Sequence, residues 1–168
     1  MPKTISVIGL GYIGLPTATL FAARKHRVIG VDVSSQVIET INQGNVHIIE
    51  PELDLLVQAA VGAGYLTATG TAQPADAFII AVPTPLTSDR KPDLSHIAAA
   101  AKTIAPVLKR GDLIILESTV PVGSTEQLAV WLAQERADLS FPQQEGANSD
   151  IRVAYCPERV LPGRIVQE

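Results

Sequence analysis

The run Gly9-Leu10-Gly11-Tyr12-Ile13-Gly14 lies between a short apolar stretch and an alanine- and leucine-rich one, and Asp32 closes the next apolar stretch. No other feature limits the possible folds as tightly. Glycines at this spacing occur in many turns, so the context carries the argument. Residues 5–8 (Ile-Ser-Val-Ile) read as a buried strand. From Leu15 through Ala18, Leu20 and Ala22 the one breaker is Pro16, which a first helical turn tolerates. Residues 28–31 (Val-Ile-Gly-Val) form a second strand that ends in Asp32.

Strand, glycine turn, helix, strand and acid in that order describe a dinucleotide site. Gly9 permits the tight turn, Gly11 lets a diphosphate approach the backbone, and Gly14 lets the helix pack closely on the strand. The helix start offers N–H groups and the positive end of its dipole to that diphosphate. Asp32 falls about 20 residues beyond the motif, where a carboxylate accepts hydrogen bonds from the ribose hydroxyls of NAD. A 2′-phosphate would meet like charge there, and Val33, Ser34 and Ser35 supply no arginine for it. NAD is therefore expected in preference to NADP.

The remaining sequence repeats the strand–helix alternation. Helices are expected from Ser34 or Ser35 to Gly44, carrying Val37, Ile38 and Ile41 inward, and from Pro51 to Gly62, with Leu53, Leu56, Val57 and Ala60 on one face. Residues 65–68 read as a short strand, and 77–82 as a strand apolar on both faces, as a central parallel strand is. A helix is expected to start at Asp93 and to kink or restart at Pro106. A strand at 113–116 precedes a helix capped by Ser124 with Gln127, and after a polar surface excursion at 143–150 a last strand covers 152–155. The fold class is α/β, a Rossmann-type doubly wound, mainly parallel sheet with helices on both faces, in the order 3-2-1-4-5-6.

Bulk properties exclude other classes. The 168 residues fit one domain, and 46% hydrophobic content with 4% aromatic points to a core of small aliphatics. A net charge of −4 argues against a nucleic-acid partner. No apolar run reaches the roughly 18 residues of a membrane span, so a cytoplasmic protein is expected. The single cysteine excludes an internal disulfide or a cysteine zinc cluster, and His26, His47 and His96 share no spacing that would make a metal site or triad.

Ligands of such sheets gather at the carboxyl ends of the strands. Thr84, held between Pro83 and Pro85, is either a cofactor contact or part of a rigid turn. Thr119 and Thr125 either face the same crevice or serve only to cap a helix. Glu158 either positions a water near a reacting sugar or pairs at the surface with Arg159 or Arg164. Cys156 has no nearby histidine or lysine to form a thiolate and reads as a small buried residue at a strand end.

Taken together, Gly9 to Pro16, Val82-Pro83-Thr84-Pro85, Glu117 to Thr125 and Cys156-Pro157-Glu158-Arg159-Val160-Leu161-Pro162-Gly163 resemble the UDP-glucose/GDP-mannose dehydrogenase family over the whole chain. The last segment is most similar to the branch acting on UDP-N-acetylmannosamine. In the UDP-glucose branch a second glutamate stands where this chain has Pro162.

The resemblance implies oxidation of a nucleotide-sugar C6 alcohol to a carboxylate with two NAD, four electrons in all, for surface polysaccharide synthesis. A cysteine captures the intermediate aldehyde, and water hydrolyses the resulting thioester. Matching positions place Tyr12, Ile13, Asp32, Thr84 and Thr125 at NAD, Thr119 and Glu158 at the catalytic water, and Arg159 and Val160 at the UDP-sugar. The family's nucleophilic cysteine and lysine, its central helix with the homodimer interface, and its UDP-sugar domain match nothing in this chain. Residues 1–168 are accordingly expected to be the NAD-binding domain of a longer protein, inactive alone. The competing expectations are a non-catalytic NAD-sensing module, or a dehydrogenase acting on UDP-N-acetylglucosamine or UDP-glucose.

Overall fold

The computed structural model describes residues 1–159. Its elements in chain order are β1 (Thr4–Ile8), α1 (Gly14–Ala23), β2 (Arg27–Val31), α2 (Ser35–Asn42), α3 (Leu53–Gly62), β3 (Leu66–Thr69), β4 (Ala77–Ile80), α4 (Ser95–Ile104), β5 (Leu113–Leu116), α5 (Ser124–Glu135), the single turn α6 (Pro142–Glu145) and β6 (Arg152–Tyr155). The sheet has the order β3-β2-β1-β4-β5-β6, and each neighbouring pair is parallel.

Side chains alternate across this sheet and build two cores. Ile5, Val7, Val28 and Ile79 meet Leu15 and Ala18 of α1, Ile41 of α2 and Leu53 and Val57 of α3 on one face. Ile8, Phe78, Ile80, Ile114 and Leu116 meet Ile97 and Ile104 of α4 and Leu128 and Leu132 of α5 on the other. Each fully buried aliphatic contributes about 1.5–3 kcal/mol relative to exposure, so the strands are fixed from both sides. Leu10 of the glycine turn is itself fully buried. A Cβ at Gly30 of β2 would lie 2.7 Å from Leu10 Cδ2. Gly30 therefore leaves the room into which Leu10 anchors the turn.

Several local expectations are corrected. Ser124 does not cap α5: Gly123 is the capping residue, in the left-handed region at φ +90°, and no side chain bonds the helix start. Ser124 is instead the first helical residue and is buried. The glycine turns the chain into the helix directly, which places the Ser-x-x-Gln pattern one position too late to cap. The polar stretch at 143–150 lies at the surface as expected, and carries the end of α6 and a 3-10 turn at Gly146–Asn148. Strand β3 begins one residue later than expected, and α4 begins at Ser95, whose N–H bonds Asp93 Oδ1 at 2.8 Å. At Pro106 the chain restarts as a 3-10 turn, Ala105–Val107, as its missing N–H requires. No helix among the described residues is long and apolar enough to cross a membrane.

Candidate functional site

The carboxyl ends of β1, β2, β4 and β5, with the segment after β6, open into one crevice of about 710 Å³. The glycine turn forms its floor. Gly9 has φ +90°, and a Cβ there would approach Ala81 O to 2.7 Å. A Cβ at Gly14 would lie 1.8 Å from Gly9 O, so α1 packs against its own turn only because that residue is glycine. Gly11 differs: its φ is not positive, and a Cβ would meet nothing within 4 Å. The protein itself gives no reason for glycine at 11, whereas a group lying on the backbone there does. The start of α1 at Ile13 has no side-chain cap, which leaves its first N–H groups available to an anion.

Asp32 stands where β2 ends. Its Oδ2 accepts the Leu10 N–H at 2.9 Å, and its Oδ1 accepts the Ser34 N–H at 2.9 Å. The carboxylate thus ties the glycine turn to the start of α2 while lining the crevice, and each oxygen retains further acceptor capacity. Val33, Val37, His47 and Gly70 line that side, with no arginine or lysine among them. Such a wall fits a ribose diol and repels a 2′-phosphate. The glycine turn and Asp32 therefore fit the diphosphate and adenosine ribose of a dinucleotide.

The other end of the crevice is lined by Thr84, Glu117, Ser118, Thr119 and Glu158. The Thr84 hydroxyl donates to Thr119 O at 2.7 Å, and Ser118 donates to Val82 O at 2.9 Å, which locks the β4 and β5 loops together. Thr119 donates a long 3.5 Å bond to Glu158 Oε2. Glu117, half-buried, accepts from Thr17 of α1 at 3.1 Å. Burial holds its pKa above the ordinary value; the Thr17 bond opposes that, and the neighbouring Glu158 charge adds to it.

Gly9, Gly11, Tyr12, Ile13, Asp32, Thr84, Thr119 and Glu158 of the expected set line the crevice, and Gly14 backs the turn. Thr125, half-buried in the first turn of α5, and Arg159, exposed after β6, are not among the lining residues. Val160 lies outside the described residues. Cys156 is exposed rather than buried, because β6 is an edge strand that the helices leave largely uncovered. Its thiol is pushed up, by partial desolvation and then by Glu117, which agrees with an unactivated cysteine. Sequence reasoning gave Glu117 and His96 no role of their own and passed over Thr17. His96 reaches the crevice from α4, and the pairing of Thr17 with Glu117 spans 100 residues, so no local pattern announces it.

The family model of the UDP-glucose/GDP-mannose dehydrogenase NAD-binding domain matches residues 3–168. The chain belongs to this family. It is therefore an NAD-binding domain of that family, with the Rossmann-type sheet of its structural neighbours. It is 65% identical over 166 residues to an NDP-N-acetyl-D-galactosaminuronic acid dehydrogenase of Ralstonia nicotianae, covering 99% of this chain and 39% of that protein. It is 64% identical over 166 residues to the UDP-N-acetyl-D-mannosamine dehydrogenase of Yersinia pestis, covering 99% of this chain and 40% of the relative. Among solved structures, the UDP-D-ManNAc dehydrogenase of Pyrococcus horikoshii superposes with a TM-score of 0.88 at 44% identity, over 98% of this chain and 38% of that one. The chain thus spans about two fifths of the length of the relatives it matches.

Proposed function

We propose that residues 1–168 are the cofactor half of a UDP-N-acetylhexosamine 6-dehydrogenase, which oxidises the sugar C6 alcohol to a carboxylate in two steps. The observation that carries this reading is one crevice that is lined at one end by an uncapped glycine turn and Asp32 and at the other by a Thr119–Glu158 pair. When bound, NAD supplies the hydride acceptor. The N–H groups of Gly11, Tyr12 and Ile13 hold its diphosphate, Asp32 holds its adenosine ribose, and Thr84 keeps the β4 loop against the β5 loop beside it. Thr119 and Glu158 orient the water that completes the second oxidation, and Arg159 and Val160 meet the UDP-sugar. Thr125 supports the cofactor from the start of α5 rather than from the crevice wall.

UDP-N-acetylmannosamine is the preferred substrate, on the similarity of the Cys156–Gly163 segment and of the Yersinia pestis relative. UDP-N-acetylgalactosamine is the second, on the similarity to the Ralstonia nicotianae relative. In this reading the nucleophilic cysteine, the lysine and most of the sugar site belong to the rest of a longer, cytoplasmic, homodimeric protein engaged in polysaccharide synthesis. The test is the full-length protein incubated with NAD and, separately, UDP-N-acetylmannosamine, UDP-N-acetylgalactosamine and UDP-glucose. Two NADH per N-acetylated sugar and little from UDP-glucose are expected. One NADH per sugar, or a preference for UDP-glucose, would overturn the reading.

A further inference from the structure

The strand order divides the crevice into two ends. Asp32 ends β2 on one side of β1, and β4, β5 and β6 lie on the other. A dinucleotide whose adenosine ribose sits at Asp32 and whose diphosphate sits on the glycine turn therefore extends its nicotinamide over the ends of β4 to β6. The side chains at that end have an unusual balance of hydrogen-bonding groups. A hydroxyl has one proton to donate. Thr17 donates its own to Glu117, Thr84 to Thr119 O, Ser118 to Val82 O and Thr119 to Glu158. The crevice-lining hydroxyls of Thr84, Ser118 and Thr119, and that of Thr17 behind Glu117, thus each already have an acceptor within the protein. Glu117 and Glu158 add carboxylates, His96 reaches the crevice from α4 and His47 lines its Asp32 end, and no lysine or arginine lines it among the described residues.

We propose that Glu117, with Glu158, makes the nicotinamide end of this crevice selective for the oxidised cofactor over the reduced one. The inference rests on the NAD reading above and adds a property to it. The carboxamide carries the same donors in both redox states, but the ring carries a positive charge only when oxidised. Redox state therefore changes the ligand by one unit of charge, and the half-buried carboxyl of Glu117 lines the end where that charge would lie. A half-buried carboxyl interacts with such a charge more strongly than an exposed one, because less water screens it. Burial alone works against the ionised form of Glu117, and a cation placed beside it supplies the counter-charge that burial removed. A protein that draws on two oxidised cofactors for each substrate gains from releasing the reduced one between steps.

The test is calorimetric titration of this chain, and of its Glu117→Gln variant, with NAD, NADH and ADP-ribose at neutral pH. Wild type is expected to bind NAD about tenfold more tightly than NADH, and the variant to reduce that ratio to within about threefold, mainly by weakening NAD. ADP-ribose lacks the nicotinamide, so its equal affinity for both proteins would show that the variant is folded and that the effect lies at the far end. Equal or tighter binding of NADH by wild type would overturn the proposal, as would an unchanged ratio in a variant that still binds ADP-ribose. Failure of wild type to bind ADP-ribose would instead overturn the cofactor reading on which the proposal rests.

Discussion

At the scale of single residues, the three glycines of the turn have separable roles. Gly14→Ala drives a Cβ to 1.8 Å from Gly9 O, so the turn or the helix must move. Overpacking costs about 1–3 kcal/mol, and a clash with backbone belongs at the upper end, so a clear fall in Tm is expected. Gly11→Ala meets nothing in the protein and is expected to leave Tm nearly unchanged while weakening NAD by more than tenfold. Thermal melting and NAD titration of the two variants check the contrast, and a Gly11→Ala protein that binds NAD normally would contradict it. Asp32→Ala removes the acceptor of the Leu10 and Ser34 N–H groups as well as the ribose partner. Hydrogen bonds to a charged group are worth about 1.5–3 kcal/mol, so a loss of tenfold or more in NAD affinity is expected. Cys156→Ala, outside the crevice lining, is expected to leave that affinity unchanged. Equal losses from Asp32→Ala and Cys156→Ala would contradict this assignment. Asp32 and the glycines were legible because each role is set within one strand–turn–helix unit. Glu117 was not, because its burial and its Thr17 bond arise only when the fold brings the end of β5 to a residue of α1 that lies 100 positions earlier.

Among the elements, the strands were easier to read than the helix ends. Four-residue apolar runs such as Leu113–Leu116 have no other place than a sheet covered on both faces, and their alternation with helices leaves few strand orders. Caps depend on one residue's backbone angle, which side-chain spacing reports poorly. At α2 the spacing succeeded, since Ser34 Oγ accepts the Val37 N–H at 3.3 Å. At α5 it failed, since Gly123 at φ +90° starts the helix without any side-chain cap. Two substitutions test this difference. Ser34→Ala is expected to cost about 1 kcal/mol through the lost cap. Gly123→Ala is expected to cost at least about 1 kcal/mol through strain, because the added Cβ meets no neighbour yet the backbone stays left-handed. Urea unfolding measures both, and an unaffected Gly123→Ala protein would contradict the cap assignment.

At the scale of the whole molecule, two sets of carboxyls pull stability in opposite directions with pH. Asp138 is held down to about 2, chiefly by its hydrogen bonds from Arg136. Asp76 is lowered chiefly by the Thr4 N–H, and Asp93 by Ser95. Their stabilisation is present above the unfolded aspartate value and is lost as pH falls through the folded one. Asp138 is exposed and Asp76 and Asp93 are partly so, and water screens each interaction, so each effect is small. Glu117 is raised from 4.5, chiefly by burial, so the native state holds its proton longer than the unfolded chain does. Stability then declines as pH rises from about 4.5 through the folded pKa. Melting against pH is expected to show both limbs, and Glu117→Gln should remove the upper one while leaving the acid limb in place.

Where a dinucleotide lies in the crevice is measured directly by a crystal structure of this chain grown with NAD. The diphosphate is expected on the N–H groups of Gly11, Tyr12 and Ile13, with the adenosine ribose hydroxyls within hydrogen-bond distance of Asp32. An empty crevice at saturating NAD, or an adenosine bound away from Asp32, would contradict the cofactor reading.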